Sequence, residues 1–403
     1  MGNKLNLKVL DVQDQGQVYI GFDLGGTKML AEVYNANFDC IGSSKRRTQV
    51  CDKQDLFLQI GETIKDALQK ASKKQADMAS IGIAVPGIVE VQTGRVRSLP
   101  NLNLHDLDVR GHLEAQFACP VWVENDVNAG VYGEYRFGTA RKAANVVGLF
   151  VGTGIGGGII INGQLYRGAG GAAGELGHII VQHGGAASPA GIRGTLESLA
   201  SKTAMAKDLA MLAAAGHAPE INEFIGGDVS KVKSSILLKA WQSGNPALEA
   251  VIHKAAEYLG VGMAACVHLF NPEVLVIGGG VTEKLGKPYI KLAVKAMRAH
   301  CLPAMASEVQ IIPSSLEDRA VPVGAALLAA ENKVFIWQSP DRLSTQLSLV
   351  YLKSGRNRTP GKLPPTHDLY DRTKHGWIYD EIPTTKNLCR LGFNSYSSTP
   401  VPV

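Results

Sequence analysis

The sequence predicts an α/β fold made of two related halves. Strand-like and helix-like patterns alternate from Val18 to about Phe335, which is typical of α/β proteins rather than of all-α or all-β proteins. An order of three strands, a helix and a strand begins at Val18, and the same order begins again at Val146. Glycine-rich turns stand next to strands in both halves.

The first half opens with an apolar run, VYIGFDLGG, that enters a glycine turn. The segments KMLAEVYN and FDCIGSSKRR predict two further strands, so that the three strands form a meander. Apolar residues at helical spacing between Phe57 and Ala71 predict a helix, and SIGIAVPG predicts a buried strand after it.

The second half begins with VVGLFVGTGIGGGIIING, which predicts a strand, a glycine turn and another strand. Three helical stretches follow and then a strand, a helix, a strand and a final helix. These predicted elements are helices at 196–215, 229–242 and 246–269, the strand EVLVIGGG, a helix near 282–300, the strand VQIIP and a helix near 319–332.

Length and composition indicate an ordinary globular enzyme. The 403 residues allow two or three domains. No apolar run approaches the roughly 20 residues that cross a bilayer, and Met1 to Gln17 lack the apolar core of a signal peptide. We therefore expect a cytoplasmic protein with no membrane segment. The cysteines stand far apart without a CxxC pair, which favours reduced, buried thiols: Cys40, Cys51, Cys119, Cys266, Cys301 and Cys389.

The formal charge of +5 is concentrated in the last part of the chain. Residues 336–403 hold nine Lys and Arg against five Asp and Glu, and the preceding residues are nearly neutral. No basic face for nucleic acid is therefore expected. Residues 336–403 are also rich in Pro, Ser, Thr and Gly, which predicts an irregular, weakly ordered tail.

The first glycine turn combines groups that suit a polyphosphate. Asp23 is followed by Gly25, Gly26, Thr27 and Lys28. Glycines let backbone N–H groups approach phosphate, and a carboxylate can hold hydrated Mg²⁺. The alternative is a plain hairpin turn. The pattern is not a P-loop, because Thr-Lys replaces Lys-Thr/Ser and a strand follows instead of a helix.

The other two turns are also open to two interpretations. Gly152, Thr153, Gly154 and Gly156 belong to a GxGxxG run, which would also suit a dinucleotide-binding dehydrogenase. That fingerprint requires a following helix, whereas residues 158–163 predict a strand. The third cluster ends a strand, and it could face an adenosine or form only a tight turn. It consists of Gly278, Gly279 and Gly280.

Three motifs together resemble the signature of the ROK family, named for repressors, open reading frames and kinases. They are VENDVNAG at 123–130, the glycine turn at 152–158 and GELGH at 174–178. The resemblance covers residues 18–335, and the family lies within the actin-like sugar kinase and Hsp70 ATPase superfamily. It implies two actin-like (ribonuclease H-like) domains around a central cleft. The implied domains are 18–128, completed by the helix near 319–335, and 129–318.

The resemblance also implies a sugar kinase site. Asp126 would be the general base that accepts the proton of the attacking sugar hydroxyl. Helix capping is the structural alternative for residues 124–126. ATP, Mg²⁺ and a hexose are the implied ligands, and a homodimer is the expected assembly. The implied sugar-binding residues are Asn101, Asn125, Glu175, His178 and Glu197.

One departure from the family concerns zinc. Many members bind zinc through a histidine and a CxCGxxGC run, but the three cysteine positions are Ser188, Ala190 and Thr195 in this sequence. His178 therefore lacks thiolate partners, and a structural zinc is not expected.

Several functions remain open at this level. Glucose is the expected substrate, with mannose, fructose or an N-acylhexosamine as alternatives, and polyphosphate could replace ATP as donor. A DNA-binding repressor is disfavoured, because only about 17 residues precede the first strand and a winged helix-turn-helix needs more. A non-catalytic sugar-binding protein is the third possibility.

Overall fold

A computed structural model describes residues 16–99, 102–188, 190–217, 221 and 232–337, with side chains up to residue 332. The strands are β1 (Val18–Leu24), β2 (Lys28–Tyr34), β3 (Cys40–Arg47), β4 (Met78–Val85), β5 (Val89–Glu90), β6 (Arg95–Leu99), β7 (Leu104–Asp108), β8 (Val121–Asn125), β9 (Val146–Val151), β10 (Ile155–Ile161), β11 (Gln164–Leu165), β12 (Val274–Gly278) and β13 (Gln310–Pro313). The helices are α1 (Lys53–Lys70), α2 (Val109–Phe117), α3 (Asp126–Arg136), α4 (Leu196–Ala200), α5 (Lys202–Ala214), α6 (Ser234–Gln242), α7 (Pro246–Phe270), α8 (Gly280–Ala299), α9 (Pro303–Glu308) and α10 (Ala320–Trp337).

Two five-stranded sheets with the same topology organise the fold. The first has the order β3-β2-β1-β4-β8 and the second has the order β11-β10-β9-β12-β13. In each sheet the first three strands are antiparallel neighbours, and the remaining strands pair in parallel. The predicted repeat of two α/β halves is therefore confirmed. A strand, β10, follows the second glycine turn, so the turn is not a dinucleotide-binding fingerprint.

Helix α10 belongs to the first sheet although it comes last in the described chain. It contacts β1, β4, β8 and α3. A Cβ atom at Gly21 would overlap the carbonyl of Pro322, and one at Gly82 would overlap that of Ala325. The helix backbone therefore rests directly on two neighbouring strands, as bare glycine permits. This packing completes the first half, while the residue limits of the two domains stay a prediction.

Local sequence explains the helix boundaries of the first half. The side chain of Asp52 accepts a hydrogen bond from the amide of Asp55 and so caps α1. Leu56, Ile60 and Ile64 lie on the buried face of α1 at helical spacing. Between β4 and β8 the chain forms a small antiparallel sheet in the order β5-β6-β7, followed by α2.

Helices α4 to α9 enclose the apolar core of the second half together with β9, β10 and β12. The predicted helix at 196–215 is divided in the structure, because extended backbone at Ser201 ends α4 and its side chain caps α5. Helix α7 is long and apolar enough, by length and composition, to span a membrane. In the most apolar 18-residue stretch of α7, 61% is buried within the protein, as expected of a core helix.

Three predicted features fall wholly or partly outside the described residues. These are the start of the helix at 229–242, the sugar-binding residue Asn101 and the tail from residue 338. Within the described residues the cysteines are free thiols, and Cys119, Cys266 and Cys301 are buried as expected, whereas Cys40 is half-buried and Cys51 is exposed because it precedes α1 on the surface.

We predict that Gly82→Ala lowers the free energy of unfolding by about 1–3 kcal/mol, because the added methyl group would push α10 away from β4. Thermal and chemical denaturation measure the loss. Gly170→Ala is the matched control, because a Cβ atom there meets no atom within 4 Å. Equal stability of the two variants would contradict the direct packing of helix on strand.

Candidate active site

A cavity of about 1370 Å³ lies at the edges of both sheets where their parallel strands end. In the first half the cavity is lined by Asp23 near the end of β1, by residues that follow β4 and by residues at and after the end of β8; in the second half it is lined by residues that follow β9 and β12. Ligand sites in α/β proteins form at the carboxyl ends of strands for this reason. The cavity exceeds the usual volume for one small ligand, which leaves room for more than one bound group. Predicted residues among its lining are Asp23, Asn125, Asp126, Gly152, Thr153, Gly154, Gly156, Glu175, His178, Glu197, Gly279 and Gly280.

Asn125 and Asp126 lie at the junction of β8 and α3. The Asn125 Oδ1 atom accepts hydrogen bonds from the amides of Val127 and Asn128, at 2.9 and 3.0 Å, and thereby caps the helix. Its Nδ2 atom donates to the carbonyl of Gly87 at 3.1 Å. Asp126 is the first residue of α3, and its Oδ1 accepts from the amide of Val127 at 2.9 Å. The capping interpretation is therefore correct, and the same residues line the cavity.

Two carboxyl groups of the cavity titrate above their usual range. Burial raises the pKa of Asp126, and the nearby charge of Glu175 adds to that effect, while the amide of Val127 opposes it. Burial also raises the pKa of Asp23 to about 7, with a further contribution from Asp126 and an opposing one from Lys28. Carboxyl groups with such environments suit proton transfer near neutral pH or the binding of a cation.

The second glycine turn is packed on one side and open on the other. A Cβ atom at Gly154 would overlap the carboxylate of Glu197, and one at Gly156 would overlap Val127. At Gly152, by contrast, the nearest atom to a Cβ would be 4.0 Å away. The hydroxyl of Thr203, on α5, donates to the carbonyl of Thr153 at 2.8 Å and fixes the turn. The open backbone at Gly152 leaves room for a phosphate group.

The first glycine turn contributes less to the cavity than the sequence predicts. Asp23 lines it, but Gly25, Gly26, Thr27 and Lys28 are not among the lining residues. The amide of Gly25 donates to the carbonyl of Lys28 at 3.0 Å, as in a hairpin turn. The Lys28 ammonium donates to Asp318 at 2.8 Å. This lysine is therefore held by a carboxylate, and the phosphate-binding role of residues 25–28 stays a prediction.

In the third cluster Gly279 and Gly280 line the cavity, whereas Gly278 ends the buried strand β12. A Cβ atom at Gly279, where φ is 90°, would lie 2.6 Å from the carbonyl oxygen of Val151. At Gly280 the nearest atom would be Ser234 Oγ at 3.8 Å. The cluster is thus a tight strand-to-helix turn, and Gly280 leaves open space beside it. This geometry agrees with both interpretations of the sequence, a tight turn and a surface that faces an adenosine.

The predicted sugar-binding residues of the second half converge on the same cavity. Glu175 precedes a short 3₁₀ turn, Leu176–His178, and its Oε2 atom lies 3.7 Å from Nε2 of His178. Glu197 has a structural contact that the sequence did not predict, because its Oε2 atom accepts a hydrogen bond from the amide of Ile155 at 2.9 Å. This carboxylate therefore supports the second glycine turn as well as lining the cavity.

The loop that lacks the three zinc-binding cysteines is held by its own backbone hydrogen bonds. Isolated bridges join Ile180 to Thr195 and Ala187 to Arg193. The backbone hydrogen bonds that close the loop are Val181 N to Gly194 O at 2.9 Å, Gly194 N to Ala186 O at 2.8 Å, Ser188 N to Ile192 O at 2.8 Å and Gly191 N to Ser188 O at 2.9 Å.

Two features connect this loop to Glu197. Thr195 caps α4, because its hydroxyl accepts from the amide of Ser198 at 3.1 Å, and the Ser198 hydroxyl donates to the carbonyl of Ala186 at 2.9 Å. Gly191 and Gly194 have φ of 79° and 75°, a conformation that favours glycine. In the part of the chain that the structure describes, no group of three or more His, Cys, Asp or Glu residues is arranged to hold a metal ion.

Sequence reasoning missed two kinds of residue in and around the site. Residues of α5 line the cavity beyond the second glycine turn, among them Thr203, Lys207 and Asp208. No motif marks them, because their placement depends on how α5 packs. The buried carboxylate of Glu124, two residues before Asp126, forms an ion pair with the partly exposed Arg167. They are 43 positions apart, and only the fold brings them together.

The sheet order, the cleft and its glycine turns define the actin-like ATPase fold that ROK sugar kinases share. The sequence model of the ROK family matches residues 19–332. The chain belongs to the ROK family.

Relatives within the family include both enzymes and regulators. The chain is 31% identical to a glucokinase of Halalkalibacterium halodurans over 323 residues, which cover 78% of this chain and 96% of the relative. It is 32% identical to a xylose repressor of Caldicellulosiruptor bescii over 281 residues, or 70% of each chain. The structure of a ROK family glucokinase from Streptomyces griseus, in complex with glucose and AMPPNP, matches with a TM-score of 0.68 and 29% identity. That match covers 78% of this chain and 99% of the other.

We predict that Asp23→Asn stabilises the ligand-free protein at pH 8 by up to about 4 kcal/mol, because each pKa unit is worth about 1.4 kcal/mol. The folded-state pKa of Asp23, about 7, lies above the ordinary value of 3.8, so folding favours the protonated form. Its contribution is fully present below about pH 4 and is lost as the pH rises through 7. Melting temperatures of both proteins between pH 4 and pH 8 should therefore diverge towards high pH.

Asp318→Asn is the control, and at pH 8 it should change the free energy of unfolding in the opposite direction. Hydrogen bonding to Lys28 lowers the pKa of Asp318, so its ion pair stabilises the fold above the ordinary pKa of 3.8 and is lost below it. At pH 8 this variant should lose less than about 1 kcal/mol, as exposed ion pairs do. An Asp23→Asn protein that is less stable than the wild type at pH 8 would contradict the proposed environment of Asp23.

Proposed function

We propose that the protein phosphorylates a hexose with ATP, most simply glucose to glucose 6-phosphate, and that Asp126 is the general base. The observation that carries the proposal is the common cavity. It brings Asp23 and Asp126 together with Glu175, His178 and the open turn at Gly152. A sugar, a polyphosphate and a base must meet in this way for phosphoryl transfer.

The reaction needs few protein groups beyond correct placement. Glu175 and His178 would bind sugar hydroxyls and hold one of them towards Asp126, because carboxylate and imidazole form directed hydrogen bonds with a polyol. The oxygen of that hydroxyl forms a bond to the terminal phosphorus of ATP, and the bond from this phosphorus to the ADP oxygen breaks. Asp126 accepts the hydroxyl proton and later releases it to water. The backbone at residues 152–156 would hold the donor phosphates.

The cavity also fits a divalent cation. Asp23 is a partly buried carboxyl group whose pKa is raised by burial and by the charge of Asp126, so a cation bound beside it would stabilise its ionised form. We propose that Asp23 binds Mg²⁺ directly or through water. When bound, Mg²⁺ supplies positive charge that neutralises the donor phosphates.

Comparison with relatives supports the proposal at the level of a sugar kinase. The similarity to the H. halodurans glucokinase covers nearly all of that enzyme, and the similar S. griseus structure was determined with glucose and AMPPNP. Glucose and ATP are therefore the first substrates to test. Mannose, fructose, an N-acylhexosamine and a polyphosphate donor stay as alternatives within the same reaction.

A second candidate function is a sugar-responsive regulator without kinase activity. The similarity to the C. bescii xylose repressor favours it. Such a protein would bind a sugar in the same cavity but would form no sugar phosphate. Retention of Asp126 in the cavity next to an open phosphate turn supports the kinase instead.

We predict that Asp126→Asn reduces kcat by about 10²–10⁴-fold, because the amide cannot accept the hydroxyl proton. The sugar dissociation constant should stay within about threefold, since the amide keeps the shape and the hydrogen bond to Val127. Coupled ADP release measures turnover, and calorimetry measures sugar binding. Asp106→Asn, which changes an exposed carboxylate paired with Arg95, is the control and should keep wild-type turnover. Near wild-type turnover of Asp126→Asn would remove this residue from the mechanism.

We predict that a chelator distinguishes a requirement for magnesium in turnover from a requirement for zinc in the loop. Excess EDTA should abolish turnover, and added Mg²⁺ should restore it, because the donor phosphates require the cation. Sugar binding without donor should be unchanged by EDTA, since the loop of residues 179–198 is closed by hydrogen bonds. Loss of sugar affinity in EDTA, or about one tightly held zinc per chain by elemental analysis, would overturn this account of the loop.

A further inference from the structure

Glu124 is a buried carboxylate next to the proposed base. It is the residue before Asn125 and Asp126, and its side chain is only 1% exposed. Its Oε1 atom accepts hydrogen bonds at 3.2 Å from the amide of Asn125 and from Nδ2 of Asn128. One side of the carboxylate is thus bound to the first turn of α3. A charge so deeply buried needs a partner of opposite sign on its other side.

Arg167 supplies that partner from the other half of the molecule. Its Nε and Nη2 atoms both donate to Oε2 of Glu124, at 2.9 and 2.7 Å. The guanidinium also lies over the ring of Trp122, with Cζ 5.8 Å from the ring centre. Trp122 and Glu124 belong to the same strand, β8. A planar guanidinium stacks on the ring while two of its N–H groups point to the carboxylate, a geometry that a lysine ammonium group does not reproduce.

The loop that starts at Arg167 ends at the sugar-binding residue Glu175. The amide of Ala173 donates to the carbonyl of Arg167 at 2.9 Å and closes the loop. A Cβ atom at Gly171 would lie 2.8 Å from the carbonyl oxygen of Val89, so the loop also abuts β5 of the first half. Because the loop is closed and confined, a shift of Arg167 would move Glu175 as well.

We propose that Arg167 and Glu124 form a clamp that holds the loop of residues 167–175 against the strand end carrying Asp126. Arg167 is then a positioning residue for phosphoryl transfer, since it acts through Glu124 and the loop. The clamp fixes the separation between Glu175, which holds the sugar, and Asp126, which takes its proton. This inference rests on the proposed function, because it concerns the placement of the sugar hydroxyl relative to the base.

The clamp is tested by a double-mutant cycle with Arg167→Met, Glu124→Gln and the combined variant. Arg167→Met should raise the sugar KM and lower kcat by about 10–100-fold, because small misplacements of reacting groups have effects of this size. The combined variant should lose no more than Arg167→Met alone, since both changes remove one interaction. Arg46→Met is the matched control, because Arg46 pairs with Glu62 and Asp66 away from the cavity, and its kcat and KM should stay within about twofold of wild type.

Arg167→Lys extends the test if Arg167→Met does not fold. Lysine keeps the charge but loses the stacking and the paired hydrogen bonds, so we expect an intermediate loss of about tenfold in kcat/KM. Wild-type kcat and KM in a folded Arg167→Lys or Arg167→Met protein would overturn the clamp, even if its melting temperature fell. Additive losses in the cycle would also overturn it.

Failure of the proposed function is distinguishable from failure of the clamp. If the wild type forms no sugar phosphate with any sugar of a panel, the kinase proposal is wrong. The clamp is then judged by calorimetry with a sugar that binds the wild type: at least tenfold weaker binding to Arg167→Met supports it, and unchanged binding overturns it. A wild type that binds no sugar at all would overturn both.

Discussion

The site depends on the alignment of parallel strands with their carboxyl ends at one edge of each sheet. Strands β1, β4 and β8 bring Asp23, Gly87 and Asp126 to the cavity. In the second sheet, the parallel strands β9 and β12 bring the glycine turns to the same place. The cavity is therefore a consequence of topology, and much of its chemistry comes from residues at or just after the ends of these strands. Helix α10 stabilises this arrangement because it rests on the bare backbone of Gly21 and Gly82.

Concentrating carboxyl groups in the cavity has an energetic cost. Burial raises the pKa of both Asp23 and Asp126, with a further contribution from the charge of Asp126 at Asp23 and from the charge of Glu175 at Asp126, so each ionised group disfavours the ligand-free fold near neutral pH. Functional sites commonly retain such groups because their ligands compensate the charge when they bind. Among buried carboxylates beside the site, Glu124 differs, since Arg167 already balances it.

Structural features that depend on residues close together in the sequence could be predicted. The meander, the strand after the second glycine turn and the capping role of Asn125 depend on neighbouring residues. Contacts between distant residues could not be predicted in the same way. Lys28 binds Asp318, 290 positions away, and Glu197 binds the amide of Ile155, 42 positions away, because the packing of elements distant in the chain decides these partners. Thr195 shows a third case: at a position where a zinc-binding cysteine would be expected, its hydroxyl caps α4.

The central claim is that the cavity transfers a phosphoryl group to a sugar. The most direct measurement is the formation of sugar phosphate by mass spectrometry, with ADP quantified in the same reaction of purified protein, ATP, Mg²⁺ and a panel of hexoses. The account predicts equimolar sugar phosphate and ADP, formed only when both sugar and ATP are present. Sugar binding without any sugar phosphate, from ATP or from polyphosphate, would contradict it and would favour a regulator.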